Sequence, residues 1–434
     1  MNNSVTVIHS IQKSRAPLLP DDIRLRVEKY YRQRVRDTWQ GRNIMHGKTP
    51  GGNDLVLTSN DYLSIASHPK IRDAMSASMQ HEGNGMLMSG VFLHGENPQL
   101  ALETRLARFM HAEAGVLCQS GYAANTGLIQ SIAGENTVVY ADMMAHMSLW
   151  EGIRSAGARA VPFHHNDVEN LERQVLRNGP GIVVVDSIFS TSGSISPLRE
   201  IAAICEANGC VFVVDESHSL GTHGPNGEGL VVAMNLADKV HFRTASLAKA
   251  FAGRAGFVTC SGDFQEYFKF ESFPAIFSST LLPHDVAGID ATLSLIRQEG
   301  WRRRRLHDNA ARLREELQSI GYNLNDSASQ IVSLEAGPEE NTLALRDALE
   351  SRGIFGAPFI APATPKNRSL IRFSVNTGLS DGDIDRIVRV CREIRDEIGV
   401  ADWPSTRRLS RGSRRHGENE AFSVESCARA RVVA

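Results

Sequence analysis

Val211-Phe-Val-Val-Asp-Glu-Ser-His218 sets four apolar residues in a row and closes them with Asp215, Glu216, Ser217 and His218. An apolar run without alternation fits a parallel strand covered on both faces better than a half-exposed antiparallel one. Asp215 then stands at the carboxyl end of a strand, where open α/β sheets gather their ligands. Ile182-Val-Val-Val-Asp186 and Gly256-Phe-Val-Thr-Cys260 repeat the pattern. Across residues 51–285 such strands alternate with longer amphipathic stretches, which implies βαβ units and a mainly parallel sheet.

Downstream, Val240-His-Phe-Arg-Thr-Ala-Ser-Leu-Ala-Lys-Ala-Phe-Ala-Gly-Arg-Ala-Gly256 places Lys249 just past another short strand, among small residues, with Ser246 three positions earlier. A Schiff-base lysine needs such a setting: little bulk beside a flat cofactor and a hydroxyl near a phosphate. A lone lysine after a strand is more often solvated, so the weight falls on its upstream partners. Asp215 is suited to a protonated pyridine nitrogen, and His218 to a phenolic oxygen. Cys118-Gln-Ser-Gly-Tyr-Ala-Ala-Asn125 opens a helix with small and polar residues, so amides near Gly121 and Tyr122 are placed to hold a phosphate. Asp142-Met-Met-Ala-His146 offers an imidazole to stack on a flat ring. Each residue alone has a bland reading as a cap, a loop ion pair or a structural histidine.

In this order the motifs resemble the α-oxoamine synthases, a family of fold-type I pyridoxal phosphate enzymes that joins an amino acid to an acyl-CoA. The resemblance runs from Ser59-Asn-Asp-Tyr-Leu63 to Arg372. It passes through Asn125, His146, His164-His-Asn-Asp167, Asp186-Ser-Ile-Phe-Ser-Thr-Ser-Gly193, Asp215/His218, Ser246/Lys249 and Phe277-Ser-Ser-Thr-Leu281. It implies that Lys249 is cofactor anchor and general base, that Asp215 meets the ring nitrogen, and that His146 stacks on the ring and donates a proton. It further implies phosphate contacts from Ser246, with Ser279 and Thr280 reaching over from a second subunit of a homodimer. Ser187 is expected to line the site, and Arg372 with Asn60 to take the substrate carboxylate. The His-Asn-Asp run is expected to be structural.

Departures from the family pattern point to a branch. Ala248 replaces the serine before the lysine, Ser246 a threonine, Met86 an arginine, Gln99 a histidine and Leu379 a late histidine. These changes make a less polar pocket and are similar to those of the cholera-type autoinducer synthases of quorum sensing. That branch implies a medium-chain acyl-CoA, S-adenosylmethionine or 2-aminobutyrate as amino donor, and a long-chain α-aminoketone product. Met86 and Leu379 are expected to favour the larger donor. The alternatives are an 8-amino-7-oxononanoate synthase- or 2-amino-3-ketobutyrate CoA ligase-like enzyme using a small amino acid, or an aminotransferase or decarboxylase. The sequence contains no Gly-x-Ser-x-Gly of a serine hydrolase, and the short N-terminal stretch has no room for a helix-turn-helix and linker.

The 434 residues, 22% charged and 42% apolar, suit a large domain plus a smaller one. We read residues 1–50 as a helical arm that packs on a partner or on the main domain, 51–285 as the large cofactor-binding domain, 286–401 as a small α+β domain, and 402–434 as a disordered polar tail. A long helix is expected over about 288–319, with Arg302 to Arg305 as a solvated face. The net charge of −2 gives no drive toward nucleic acid or membrane. Six scattered cysteines without a histidine–cysteine grid support reduced thiols in a cytoplasm and no metal site. The N-terminus lacks a basic start and apolar core, and no apolar run approaches the ~20 residues of a membrane span.

Overall fold

The computed structural model describes residues 17–406. The chain divides into two units, at Gly47 and Lys48. In the first, the helix Asp21–Tyr30 runs into a π-helix, Tyr31–Thr38, and Tyr30 packs edge-on to Trp39 at 6.1 Å. Leu25, Val27, Tyr30 and Tyr31 of this arm are exposed.

The second unit holds twelve strands. They are β1 Leu55–Val56, β2 Ala114–Cys118, β3 Val138–Asp142, β4 Arg159–Phe163, β5 Ile182–Asp186, β6 Val211–Asp215, β7 Phe242–Ser246, β8 Gly256–Cys260, β9 Ile331–Gly337, β10 Ile354–Phe355, β11 Ala357–Phe359 and β12 Ser369–Ser374. Seven make the central sheet, in the order β2-β8-β7-β6-β5-β3-β4. Its pairs are parallel except for β8, which runs against β2 and β7. The period of two sorts the apolar runs between two cores. Ala141, Val184 and Val213 join Leu128 and Leu149 on one face. Tyr140, Val183, Val185, Phe212 and Val214 join Ile201 and Leu230 on the other. Both faces are covered, hence the uninterrupted Val/Ile/Phe composition.

The small sheet is antiparallel, in the order β11-β12-β9, and β1 pairs in parallel with β10. Ser380 and Asp383 form a reciprocal capping box that starts its closing helix, Asp381–Glu397. Gly193 welds this sheet to the loop after β5. Its φ is +73°, and a Cβ there would lie 2.0 Å from the Ile331 carbonyl oxygen, while its own carbonyl accepts from Ala328 N at 3.0 Å and Ser329 Oγ at 2.8 Å.

Three expectations are corrected. The long helix is two, Pro283–Gln298 and Gly300–Ser319, broken at Glu299 (ψ +54°), whose carboxylate is held by Arg302 at 2.7 Å. The four arginines are not a uniform solvated face. Arg302 donates to the Leu63 carbonyl, Arg303 is buried and donates to the carbonyls of Ile296 and Pro225, and Arg305 donates to that of Leu379. Loop carbonyls, and the carbonyl of Ile296 in the last turn of its helix, recruit the guanidinium donors. The polar tail begins later than expected: Trp403 and Ser405 are buried, and the Ser405 carbonyl accepts from Asn323 at 2.9 Å. The rest of that tail, from Arg407, lies outside the described residues. Among the described residues no helix is long and apolar enough to cross a membrane.

Arg303→Ala is expected to lower the unfolding free energy by about 2 kcal/mol, because the buried Ile296 carbonyl and the part-buried Pro225 carbonyl lose a charged donor. Arg304→Ala, at an exposed position, should stay within about 0.5 kcal/mol. Urea titration of the two variants checks the contrast.

Candidate active site

Three adjacent parallel strands end in aspartate: Asp142 on β3, Asp186 on β5 and Asp215 on β6, with Asp186 and Asp215 in direct register. All three are buried. A buried carboxylate is costly unless donors meet it, and each solves this differently. Asp142 is met by the His165 ring at 3.0 Å and by the amides of Met144 and Asn166. Asp215 accepts from Asn125 Nδ2 at 2.7 Å and from the Ser217 amide at 2.8 Å. Asp186 accepts the His146 amide at 2.9 Å, and burial, then the charge of Asp215, pushes its carboxyl well above the usual carboxylate range.

Asn125 is the hub behind Asp215. It sits on the helix Gly121–Ile132, its second Nδ2 contact is Ser148 Oγ at 2.8 Å, and its carbonyl accepts from Thr244 Oγ1 on β7. His146 caps the next helix, Met147–Ser155; Ser148 Oγ lies 2.7 Å from its Nδ1, and Tyr122 stands edge-on at 6.5 Å. The imidazole is thus fixed by one ring nitrogen and by its own amide. His218, two residues past β6 and Glu216, is buried with Nδ1 2.7 Å from the Tyr62 hydroxyl. Burial, followed by the charges of Lys249, Arg372 and His146, holds its imidazole well below the usual value, so it is neutral.

Lys249 follows β7 in a turn closed by Ala252 N on the Lys249 carbonyl at 2.9 Å. Burial and the nearby Arg372 lower its amine, against the opposing pull of Asp215. Arg372 comes from β12 in the small sheet. It donates to the Ser190 carbonyl at 2.8 Å and to Asn60 Oδ1 at 3.1 Å, lies 4.7 Å over the Phe359 ring, and keeps a buried Nε without an acceptor. Asn60 and Arg372 are therefore brought together from opposite ends of the fold. Gly121 is pressed onto Ser246: a Cβ there would meet Ser246 Cβ at 2.5 Å, so only glycine lets the helix start approach the end of β7 this closely. Ser246 Oγ accepts from the Ala248 amide at 3.3 Å.

Other expected residues sit elsewhere. Ser187 follows Asp186 at the end of β5. Fully buried, its hydroxyl donates to the Asp215 carbonyl at 2.9 Å and lies 2.9 Å from Ser219 Oγ, because the β5–β6 register sets it directly against the backbone of Asp215. Leu379 lies in the hydrophobic core, not on a substrate pocket, and Met86 is 76% exposed. Ser279 and Thr280, expected to reach a phosphate from a second subunit, bond within this chain to Gln119 and Met88 (Gln119 Nε2 to the Ser279 carbonyl at 2.6 Å, Thr280 N to the Met88 carbonyl at 2.8 Å). In the His-Asn-Asp run, His165 bridges Asp142 and Ser194, and Asp167 caps a helix. Tyr62, Ser190, Ser217 and Thr244, and the role of Asn125, were not legible beforehand. Tyr62 and Asn125 stand inside recognisable motifs, but their partners lie 156 and 90 residues away.

Asn125→Ala leaves Asp215 Oδ2 without its side-chain donor and Thr244 without its acceptor. A loss of about 2 kcal/mol in unfolding free energy is expected, measured by urea denaturation against a Ser148→Ala control that keeps the Asp215 contact.

Residues 53–390 match the family described as aminotransferase class I and II. The CAI-1 autoinducer synthase of Vibrio campbellii is 44% identical over 381 residues, 88% of this chain and 97% of that protein. 8-Amino-7-oxononanoate synthase 1 of Bacillus velezensis is 30% identical over 371 residues, 83% of this chain and 93% of the relative. Among solved structures, serine palmitoyltransferase of Sphingomonas wittichii superposes with a TM-score of 0.79 at 25% identity, covering 89% of this chain and all of the other. The S. paucimobilis enzyme, solved with a bound PLP–myriocin aldimine, gives 0.78 at 25% identity, covering 88% and 98%. The chain belongs to the class I and II aminotransferase family and, within it, to the α-oxoamine synthases: it is a pyridoxal 5'-phosphate-dependent acyltransferase.

Proposed function

We propose that this acyltransferase condenses a medium-chain acyl-CoA with S-adenosylmethionine or 2-aminobutyrate, releasing CoA and carbon dioxide, to make the long-chain α-aminoketone precursor of a quorum-sensing autoinducer. The observation that carries this reading is the 44% identity to the CAI-1 autoinducer synthase over nearly all of that protein's length.

The residues present fit the cofactor. Lys249, His146, His218 and Arg372 crowd one another electrostatically, with Asp215 acting against them on Lys249, and Arg372 Nε is buried and unpaired. Such a cluster is built for anions, and a phosphate and a carboxylate supply them. Lys249 would hold the cofactor covalently through Nζ, Asp215 would meet its ring nitrogen, His146 its ring face and His218 its phenolic oxygen. Ser246 and the amides of Gly121 and Tyr122, at the glycine-dependent approach of helix and strand, would take its phosphate. When bound, pyridoxal phosphate supplies the electron sink that makes α-deprotonation and decarboxylation feasible.

The chain's own residues supply the rest. The lowered amine of Lys249 is a better base at neutral pH than an ordinary lysine and takes the α-proton. Arg372, with Asn60 beside it, orients the substrate carboxylate through its guanidinium fork. His146, fixed through Nδ1, delivers a proton to the oxygen of the attacked thioester. Residues 51–285 carry the cofactor in this reading, and 286–401 contribute Arg372. Met86, Leu87, Phe92, Phe270, Phe273 and Phe277 are exposed on the segments flanking Ser279 and Thr280. A surface this apolar supports a homodimer in which a second copy covers it and receives Ser279 and Thr280 at its own phosphate. The five free, buried cysteines among the described residues suit a cytoplasmic enzyme.

CoA thiol release by the cofactor-loaded protein, with medium-chain acyl-CoA and glycine, alanine, serine, 2-aminobutyrate or S-adenosylmethionine, tests the reading. Release with the last two and an aminoketone product mass is expected; release only with a small amino acid assigns an activity like that of the B. velezensis relative. Lys249→Ala should abolish release with the fold intact by circular dichroism, and Asp215→Asn should slow it by several powers of ten. Met86→Arg should move donor preference toward the smaller amino acids, and an unchanged preference would remove Met86 from the specificity argument.

A further inference from the structure

Glu103 lies on the helix Pro98–Phe109, away from the Lys249 group, and is 1% exposed. Its Oε1 accepts from the Leu117 amide at 3.0 Å and from Gln99 Nε2 at 3.3 Å. Its Oε2 is buried without a donor, and so is Gln119 Oε1. Glu103, Gln99, Gln119, Lys269 and Thr280 border one cavity of about 20 Å³, room for a single water. Glu103 and Gln119 border the same cavity, and a protonated carboxyl has a hydrogen to donate to the Gln119 oxygen where a carboxylate has none.

Both glutamines reach onward to the same stretch. Gln99 Oε1 accepts from the Leu281 amide at 3.3 Å, and Gln119 Nε2 donates to the Ser279 carbonyl at 2.6 Å. Thr280, between these anchors, is tied by its amide to the Met88 carbonyl. We propose that Glu103 is a positioning residue: in its protonated form it donates to Gln119, and through Gln99 and Gln119 together it clamps Ser279 and Leu281 on either side of Thr280. The clamp rests on the proposed function only for its consequence, since there Ser279 and Thr280 border a cofactor phosphate.

The surroundings favour the proton. Burial raises the Glu103 carboxyl to about 7; the Leu117 amide, Lys269 of the helix Gly262–Glu271 and Gln99 pull the other way without overcoming it. The other titratable groups against it are the thiols of Cys118 on β2 and Cys260 on β8, both pushed up by burial and by Glu103 itself. The folded carboxyl thus keeps its proton up to about 7 while the unfolded chain releases it near 4.5. The stability this group contributes is complete below the lower value and is lost as pH rises through the upper one.

The test is amide hydrogen exchange of the peptide spanning 278–282 in the cofactor-loaded wild type, Glu103→Gln and Glu103→Leu at pH 6 and pH 8, with CoA release followed in parallel. The glutamine variant keeps a neutral donor toward Gln119 and should match the wild type at pH 6. At pH 8 it should exchange about tenfold more slowly than the wild type, the worth of one hydrogen bond. The leucine variant should exchange fast at both pH values. Wild-type protection in Glu103→Leu, or identical wild-type and Glu103→Gln exchange at pH 8, overturns the clamp. The expected exchange pattern without CoA release from any donor refutes the proposed function and leaves the clamp standing.

Discussion

Burying the carboxylate of Asp215 is the constraint around which the site is arranged. At the end of a central strand it loses water on every side, and an unpaired charge there would cost several kcal/mol. Two donors meet it, from Asn125 and from the Ser217 amide. Asn125 can do so only because its helix begins hard against β7, and that approach depends on Gly121 lacking a Cβ. Ser217 turns its hydroxyl to the Ser246 amide at 2.7 Å, which ties the loop after β6 to the end of β7 just before Lys249. One carboxylate thus places the residues around it by way of its own desolvation.

Asp186 shows the same constraint answered differently. It lies in register with Asp215 and is met by the His146 amide, whereas Asp142 is met by the His165 ring and two amides. Two adjacent buried carboxyls do not both ionise readily, and burial, then the charge of Asp215, raises the Asp186 carboxyl well above its usual range. Asp186 still accepts the His146 amide and so holds the backbone that carries the imidazole. The neutral His218 follows from the same economy of charge: with Lys249 and Arg372 close by, another cation is disfavoured.

Much of this was legible in the sequence where local pattern and position coincide. The unbroken runs at 182–186 and 211–215 read as doubly covered parallel strands because both faces are apolar; Lys249 and Asp215 were read from their places at strand ends, and His146 from its place in the order of motifs. What escaped were contacts between distant segments. Nothing near Tyr62 foretells His218, and nothing near Ser187 foretells its bonds to the Asp215 carbonyl and to Ser219. The arginines 302–305 read as a surface run because sequence alone does not reveal which loop carbonyls lack partners. Leu379 read as a substrate contact from its place in a motif, whereas packing made it core.

The joint between the two sheets settles how Arg372 can act. In the proposed reaction a substrate carboxylate held by β12 must be kept at a fixed distance from a base that follows β7, or proton abstraction loses its geometry. Gly193, with no room for a Cβ against the Ile331 carbonyl, joins the loop after β5 to the start of β9, and β9 pairs directly with β12. Ser192, Gly193 and Thr191 add carbonyls that accept from Ser327, Ser329 and Ser333. The adjoining Ser190 carbonyl holds the guanidinium itself. The loop that starts at Asp186 therefore fixes both the carboxylate anchor and the amide of His146, so a shift at either end would be felt at the other through a few residues of rigid backbone.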